Sequence, residues 1–313
     1  MAAVAVTGAN GFVGAHVVRA LLRRGHSALA LVGADVDLAN LAGVPVEHRP
    51  FDLLDQGSVR AGLAGCEAVI HTAACYAFWL PDPRTFYRVN VDGTGRVLDA
   101  ARALGLRRMV YTSTGATLAP PGPGFEGHYR GSKARGEKLV ESAAAQGFSA
   151  VIVHPTTVLG PGDRRPTPTG SMIVHYLAGR MKAYLEMQQN VVHVEDVAEG
   201  HVLALERGAP GAHYVLGGDN LSMPELLGLL AEITGIPAPR LALPNAWVRF
   251  VGAINEWLAD HVTRREPMVT REAALHARDA RPFDTAKSRS ELGFAPRPAR
   301  AVLEDAVRWF ERR

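Results

Sequence analysis

Cysteine is scarce in this chain. Cys66 and Cys75 are the only two among 313 residues, too few for a disulfide framework at this length. A reducing compartment, the cytoplasm, is the simplest location for such a composition. Met1 leads straight into a strand-like stretch, so no secretory signal is expected. Long apolar runs are missing too: Trp247–Leu258 comes closest and is broken by Arg249, Asn255 and Glu256, which argues against a membrane span. The formal charge is only +3, and the basic residues are scattered (Arg23, Arg24, Arg107, Arg108, Arg312, Arg313) rather than gathered in a stripe. Nucleic acid is therefore not an expected partner. The twelve histidines show no H-x-x-x-H or similar ligand spacing, so no metal is expected. No internal repeat is visible.

Glycine is present where it can matter. Val4–Val6 reads as a short buried strand, and Gly8, Gly11 and Gly14 follow at intervals of three. From Phe12 the pattern turns helical, with Phe12, Val13, Val17, Ala20 and Leu21 on one side and Arg19, Arg23 and Arg24 on the other. A strand that turns into a helix over glycines brings bare backbone N–H groups and a partial positive charge to one point, which suits a phosphate. A purely structural glycine turn is the alternative. The spacing is G-x-x-G-x-x-G, unlike the general dinucleotide fingerprint.

Strand and helix signals then alternate. Ala28–Val32, Val46–Phe51, Ala68–Thr72, Arg108–Thr112 and Ala150–His154 read as strands; Phe86–Leu104 and Tyr129–Gln146 read as helices. The order predicts an α/β fold, a doubly wound parallel sheet covered on both faces, with ligand at the strands' carboxyl ends. Beyond Pro155 come glycine- and proline-rich loops. Helix signals at Ser171–Gly179, Val197–Arg207, Pro224–Ile233 and Leu241–Ala259 follow, with short strands at Asn190–Val194 and His213–Leu216. This predicts a domain over residues 1–165, to which a stretch near 190–216 returns. A smaller, mostly helical C-terminal substrate lobe spans 166–313.

Tyr129 and Lys133 stand at i and i+4 of the predicted helix, on one face. A phenol titrates near 10, and proton exchange at neutral pH needs a fall of roughly three units, about 4 kcal/mol. A nearby ammonium favours the phenolate. The fifth strand ends in Tyr111-Thr112-Ser113-Thr114. Thr112 and Thr114 face one side and Ser113 the other, so a hydroxyl is available at the carboxyl edge to polarise a reacting oxygen.

With these residues in place, the chain resembles the extended short-chain dehydrogenase/reductase superfamily, whose fold is Rossmann-type. Thr7–Gly14 (TGANGFVG) matches its T-G-x-x-G-x-x-G. Asp52-Leu53 matches its adenine-holding pair, and His71-Thr72-Ala73-Ala74 its small-residue run under the cofactor. Asn90 matches its helix asparagine, and Tyr129 with Lys133 its catalytic pair. His154–Asp163 is similar to the R-P-x-x-V-Y-G-P-G-D segment beside the nicotinamide, and Phe283–Gly293 to the C-terminal element. Within the branch, the runs PDPRTFYRVNVDGT, PGDRRPTPTG and VVHVEDVAEGHVLALERG are most similar to hopanoid-associated sugar epimerases; dihydroflavonol-4-reductase-like reductases are close relatives.

The resemblance implies Tyr129 as general acid/base, Lys133 on the nicotinamide ribose and lowering the phenol, and Thr114 orienting the substrate oxygen. It implies a cofactor site of Gly8, Asn10, Gly11, Phe12, Val13, Gly14, Asp52, Leu53, Thr72, Ala73, Ala74, Asn90, Thr112, Tyr129, Lys133, Pro155, Thr156 and Thr157. The chain departs from the family in its short stretch between Thr114 and Tyr129. It also has Gly33 after Val32, with Asp35 and Asp37 beyond, and no base for a 2′-phosphate; NAD is expected, NADP being possible. Phe78, Trp79, Met172, Tyr176 and Tyr184 either line a substrate site or pack. Arg164, Arg165, Arg180 and Lys182 are candidates for a nucleoside diphosphate. Hydride transfer at a secondary alcohol or ketone is the expected activity, as a nucleotide-sugar epimerase-like enzyme; the alternatives are a ketone or aldehyde reductase and a non-catalytic dinucleotide-sensing regulator. A small-molecule substrate and a possible homodimer complete the expectation.

Overall fold

The computed structural model describes residues 3–34, 36–119, 127–244, 252–257, 259–263, 267 and 270–313. Asp35, residues 120–126 of the short Thr114–Tyr129 stretch, and much of the Trp247–Leu258 run lie outside them. Strands β1 (Ala3–Thr7), β2 (Ala28–Val32), β3 (Glu47–Pro50), β4 (Cys66–His71), β5 (Arg108–Thr112) and β6 (Ala150–Pro155) alternate with helices α1 (Phe12–Arg23), α2 (Gln56–Leu63), α3 (Arg84–Tyr87), α4 (Thr94–Ala103) and α5 (His128–Ala145). Then come β7 (Thr157–Leu159), α6 (Pro168–Leu177), β8 (Ala183–Leu185), β9 (Gln188–His193), α7 (Val194–Arg207) and β10 (His213–Leu216). β11 (Asp219–Ser222), α8 (Met223–Thr234), β12 (Leu241–Leu243), α9 (Arg271–Asp279) and α10 (Ala299–Glu311) complete the described elements used below.

Seven parallel strands form the main sheet in the order β10-β6-β5-β4-β1-β2-β3. This is the doubly wound α/β architecture predicted above. Side chains alternate across it, as extended backbone requires. Val4, Val6, Ile70, Val110 and Val153 face α1 and α7, whereas Ala5, Val69, Met109, Tyr111 and Ile152 face α2, α4 and α5. Burial on both faces explains why these strands read as continuous apolar runs. Strand order reverses between β1 and β4, and their carboxyl ends frame the crevice where such sheets bind ligands.

A third core joins α6, α8, α10 and the three-stranded sheet β11-β9-β7. From β9 the chain returns as α7 to pack on α1, and β10 adds to the edge of the main sheet beside β6. Two helices differ from expectation. Leu241–Ala259 does not begin as a helix: Leu241–Leu243 pairs with β8, and Pro244 follows, where a helix cannot continue unbroken. Phe86–Leu104 is interrupted by a wide turn at Arg88–Gly93, where Thr94 Oγ1 donates to the Asn90 carbonyl.

Candidate active site

The glycine turn joins β1 to α1 at the crevice. Gly8 has φ +65°, and a Cβ there would come 2.9 Å from Ala73 Cα. A Cβ on Gly14 would meet the Gly8 carbonyl and stand 2.9 Å from Thr72 Oγ1. The turn is pinned from below: Thr72 Oγ1 donates to Thr7 O at 2.6 Å, and Ala73 N to Thr7 Oγ1 at 3.2 Å. Helix α1 starts at Gly11 with no side-chain cap and no acid in its first turn. Its leading N–H groups therefore remain for an anion. Gly8, Gly11, Phe12, Val13 and Gly14 thus build a cradle that fits a pyrophosphate.

Around this cradle, Asn10 Nδ2 reaches Asp37 O at 3.5 Å, and Asn40 Nδ2 reaches Asn10 O at 3.3 Å. Arg164, far along the chain, stands 3.7 Å from the Asp37 carboxylate; no sequence spacing announced a base at this end. Asp52 accepts from Leu54 N at 2.8 Å, and Leu53 covers Gly93.

The Tyr129 ring lies 4.9 Å from that of Tyr76, and Thr114 lies beside its phenol. Burial raises the phenol above its usual range, and the Thr114 hydroxyl opposes that rise. Lys133 is 2% exposed. Its Nζ donates to Thr112 O at 2.6 Å and sits 4.4 Å over the Tyr111 ring. Burial lowers the ammonium to about 7, against the pull of Glu137. The lysine's charge is thus directed to the β5 carbonyl edge, and the phenol is governed by burial and Thr114. That differs from the expectation of a lysine-lowered phenol: Lys133 turns its ammonium to the Thr112 carbonyl and is not among the groups that shift Tyr129.

Asn90 is buried and its amide is fully engaged. Oδ1 accepts from Cys75 N at 2.8 Å, while Nδ2 donates to Cys75 O at 3.1 Å and Ser132 Oγ at 2.9 Å. It ties the loop after β4 to α5. Thr112 Oγ1 pairs with His201 Nε2 at 2.9 Å, Thr156 Oγ1 donates to Asn190 Oδ1 at 2.7 Å, and Thr157 Oγ1 to Gln189 Oε1 at 2.6 Å. Pro155 closes β6 opposite Leu216. Ala74 follows Ala73 beside the turn.

A cavity opens beside Tyr129. Phe78, Ala116, Ala119, Leu275, Ala280 and Phe283 make its apolar wall, with Thr157, Gln188, Gln189, Asn190, Arg130, Glu272 and Asp279 as polar lining. Of the aromatic candidates only Phe78 lines it; Tyr176 packs in the third core and donates to Ile236 O at 2.6 Å. Met172 and Tyr184 pack against the same core. Glu272 was not visible in the sequence. It comes from α9, yet accepts from Arg130 N at 3.2 Å and from the His128 and Tyr129 backbone, capping the first turn of α5. Burial raises its carboxyl to about 7. A polar residue on an amphipathic helix carries no local sign of such a role.

The fold and this cradle define a Rossmann-type, nicotinamide-dinucleotide-dependent oxidoreductase or epimerase. Residues 4–217 match the model of the NAD dependent epimerase/dehydratase family, and the chain belongs to that family. A Synechocystis protein provisionally named dihydroflavonol 4-reductase is 37% identical over 326 residues, spanning 98% of this chain and 94% of its own. The solved structure of gox2253 is 40% identical with a TM-score of 0.86, covering 100% of this chain and 98% of the other. PA4631 of Pseudomonas aeruginosa, a nucleoside-diphosphate-sugar epimerase, is 27% identical with a TM-score of 0.81, covering 99% and 98%. The chain is an enzyme of hydride transfer, epimerase-like or reductase-like, and none of this supports a non-catalytic regulator. No helix among the described residues is long and apolar enough to cross a membrane.

Proposed function

We propose that the protein reduces the carbonyl of an apolar ketone with a reduced nicotinamide dinucleotide. The charge of the cavity carries this reading. Its one described cation, Arg130, is already paired with Asp279 at 2.6 Å, and Glu272 adds a second carboxyl. A nucleoside diphosphate needs unspent cations, and two acids beside a spent guanidinium oppose it. Arg164 faces Asp37, Lys182 donates to Gly179 O, and neither they nor Arg165 and Arg180 line the cavity. The apolar wall instead suits a hydrocarbon-rich substrate. The epimerase reading draws on the family and on the likeness to PA4631.

In this reading residues 1–165 hold the dinucleotide and the later lobe closes over the substrate. The α1 N-terminus and the Gly8 turn would hold the pyrophosphate, Asp52 and Leu53 the adenine end, and Lys133 the nicotinamide ribose. Thr72 to Ala74 and Pro155 to Thr157 would flank the cofactor. When bound, the dinucleotide supplies the hydride. Thr114 Oγ1 orients the ketone oxygen, and the Tyr129 phenol gives it a proton as it becomes an alcohol. NAD is the proposed form, because Asp37, whose backbone oxygen Asn10 reaches, brings a carboxylate to this end of the cradle that would repel a 2′-phosphate.

The test is an assay of the purified protein with NADH and NADPH against apolar ketones and nucleotide sugars, following the near-ultraviolet absorbance of the reduced nicotinamide. Loss of absorbance with ketones, faster with NADH, is expected. Interconversion of sugar epimers without loss of absorbance would replace this reading by the epimerase. NADPH binding about tenfold tighter, about 1.4 kcal/mol, would overturn the choice of NAD and point to Arg164.

A further inference from the structure

Three side chains behind Thr114 take no part in the chemistry above. Glu137 comes from α5, His154 from β6 and His213 from β10, and their ligand atoms lie within 4.8 Å of one another. His154 is fully buried. Its Nδ1 lies 3.1 Å from the Thr114 carbonyl oxygen, which can only accept, so Nδ1 carries the proton and Nε2 presents a lone pair. That Nε2 is 3.0 Å from His213 Nδ1. The ring planes differ by 17° with centroids 5.2 Å apart, so the rings lie nearly in one plane and meet edge to edge.

The outer edge of His213 faces a carboxylate. Its Nε2 stands 3.3 Å from a Glu141 carboxylate oxygen. Glu137 Oε1 is 3.7 Å from His213 Nδ1. Its Oε2 accepts from Ser113 Oγ and, at 2.9 Å, from Thr117 Oγ1. Two imidazole nitrogens and a carboxylate oxygen thus lie close together. The 3.0 Å contact between the rings is made either by one N–H donating to the other nitrogen or by a cation that both lone pairs share.

We propose that Glu137, His154 and His213 form a divalent-metal site, best suited to zinc. Two imidazoles and a carboxylate are a zinc donor set. The 3.0 and 3.7 Å separations bracket the ligand–ligand spacing of about 3.4 Å that tetrahedral zinc–nitrogen bonds of about 2.0–2.1 Å require. A ring N–H directed to a backbone carbonyl, as His154 Nδ1 is to Thr114 O, is the outer contact that fixes a metal-binding histidine. The 33% exposed His213 side chain leaves an entry path and room for water as fourth ligand. The ion would tie α5 to β6 and β10 beneath Thr114. This revises the absence of metal expected from spacing, since the three ligands belong to three separate elements.

The test is titration of the metal-free protein with Zn(II), counting bound metal by native mass spectrometry and following the unfolding midpoint. Expected are one zinc per chain and a midpoint that climbs with zinc concentration. Co(II) should give the visible bands of a tetrahedral nitrogen/oxygen site. His213→Ala, or His213→Gln if the first folds poorly, should weaken binding about 100-fold or more and abolish the climb. His26→Ala, at the surface His26–Glu206 pair, should leave both unchanged. No zinc bound at tenfold excess would overturn the proposal and leave one ring's N–H donating to the other as the 3.0 Å contact. Binding that survives both His213 variants would overturn it as well.

Discussion

Lys133 holds its ammonium 2.6 Å from Thr112 O, in surroundings that lower it to about 7. Between about pH 7 and the ordinary lysine value of about 10.4, the unfolded chain binds a proton that the folded chain has released. Stability therefore rises with pH across that window. Lys133→Met removes this rise, and calorimetry at pH 7 and pH 9 should show it flattened, with activity lost. A variant that loses activity yet keeps the rise would point to another group. Tyr129→Phe removes the proposed proton donor while keeping the ring against Tyr76. It should lower kcat about 10²- to 10⁴-fold with cofactor binding, followed by nicotinamide fluorescence, little changed. At this scale much was legible: Tyr129 and Lys133 lie one helical turn apart, and Gly8 to Gly14 sit between a strand and a helix. The direction of the Lys133 charge was not legible, because it depends on the Thr112 carbonyl and the Tyr111 ring of another element.

Helix α5 shows how elements depend on one another. It starts at Gly127 with no side-chain cap of its own, and Glu272 on α9 accepts the leading N–H groups instead. A carboxylate at a helix N-terminus is favourable, but burial raises this one to about 7. Here the folded chain keeps a proton that the unfolded chain has lost above about 4.3, so stability falls as pH rises toward 7. Glu272→Gln should flatten that fall, which urea midpoints at pH 5, 6 and 7.5 would reveal. A steeper fall in the variant would show that the charged cap outweighs its desolvation. The interruption at Arg88–Gly93 and the strand at Leu241–Leu243 are likewise matters of neighbours. Apolar periodicity reports neither the Thr94 bond to Asn90 O at that interruption nor the pairing of Leu241–Leu243 with β8.

Across the whole molecule, the parallel sheet is sealed by layers that enclose neutral imidazoles. Burial lowers His16 and His201 to about 4 and His71 to about 3. His71 bridges Thr7 Oγ1 at 2.7 Å and Thr94 Oγ1 at 3.2 Å, and has no room for a second charge. Below the ordinary histidine value of about 6.5 the unfolded chain takes up protons that these rings refuse. Stability is therefore lost as pH falls from 6.5 towards 4. Acid titration followed by circular dichroism should show unfolding in that range, moved to lower pH by His201→Gln. An unfolding curve flat down to pH 4 would contradict neutral buried rings.

What the sequence determined by itself was local and periodic. The β–α alternation, the glycine turn with its helix, and the face shared by Tyr129 and Lys133 all follow from backbone geometry over a few residues. The tertiary structure decided which distant charges meet: Arg130 with Asp279 in the cavity, Glu272 at the head of α5, Arg164 beside Asp37, and Glu137 with His154 and His213. Packing of separate layers sets those encounters. Electrostatic energy depends on distance and burial in space, and separation along the chain carries no record of either.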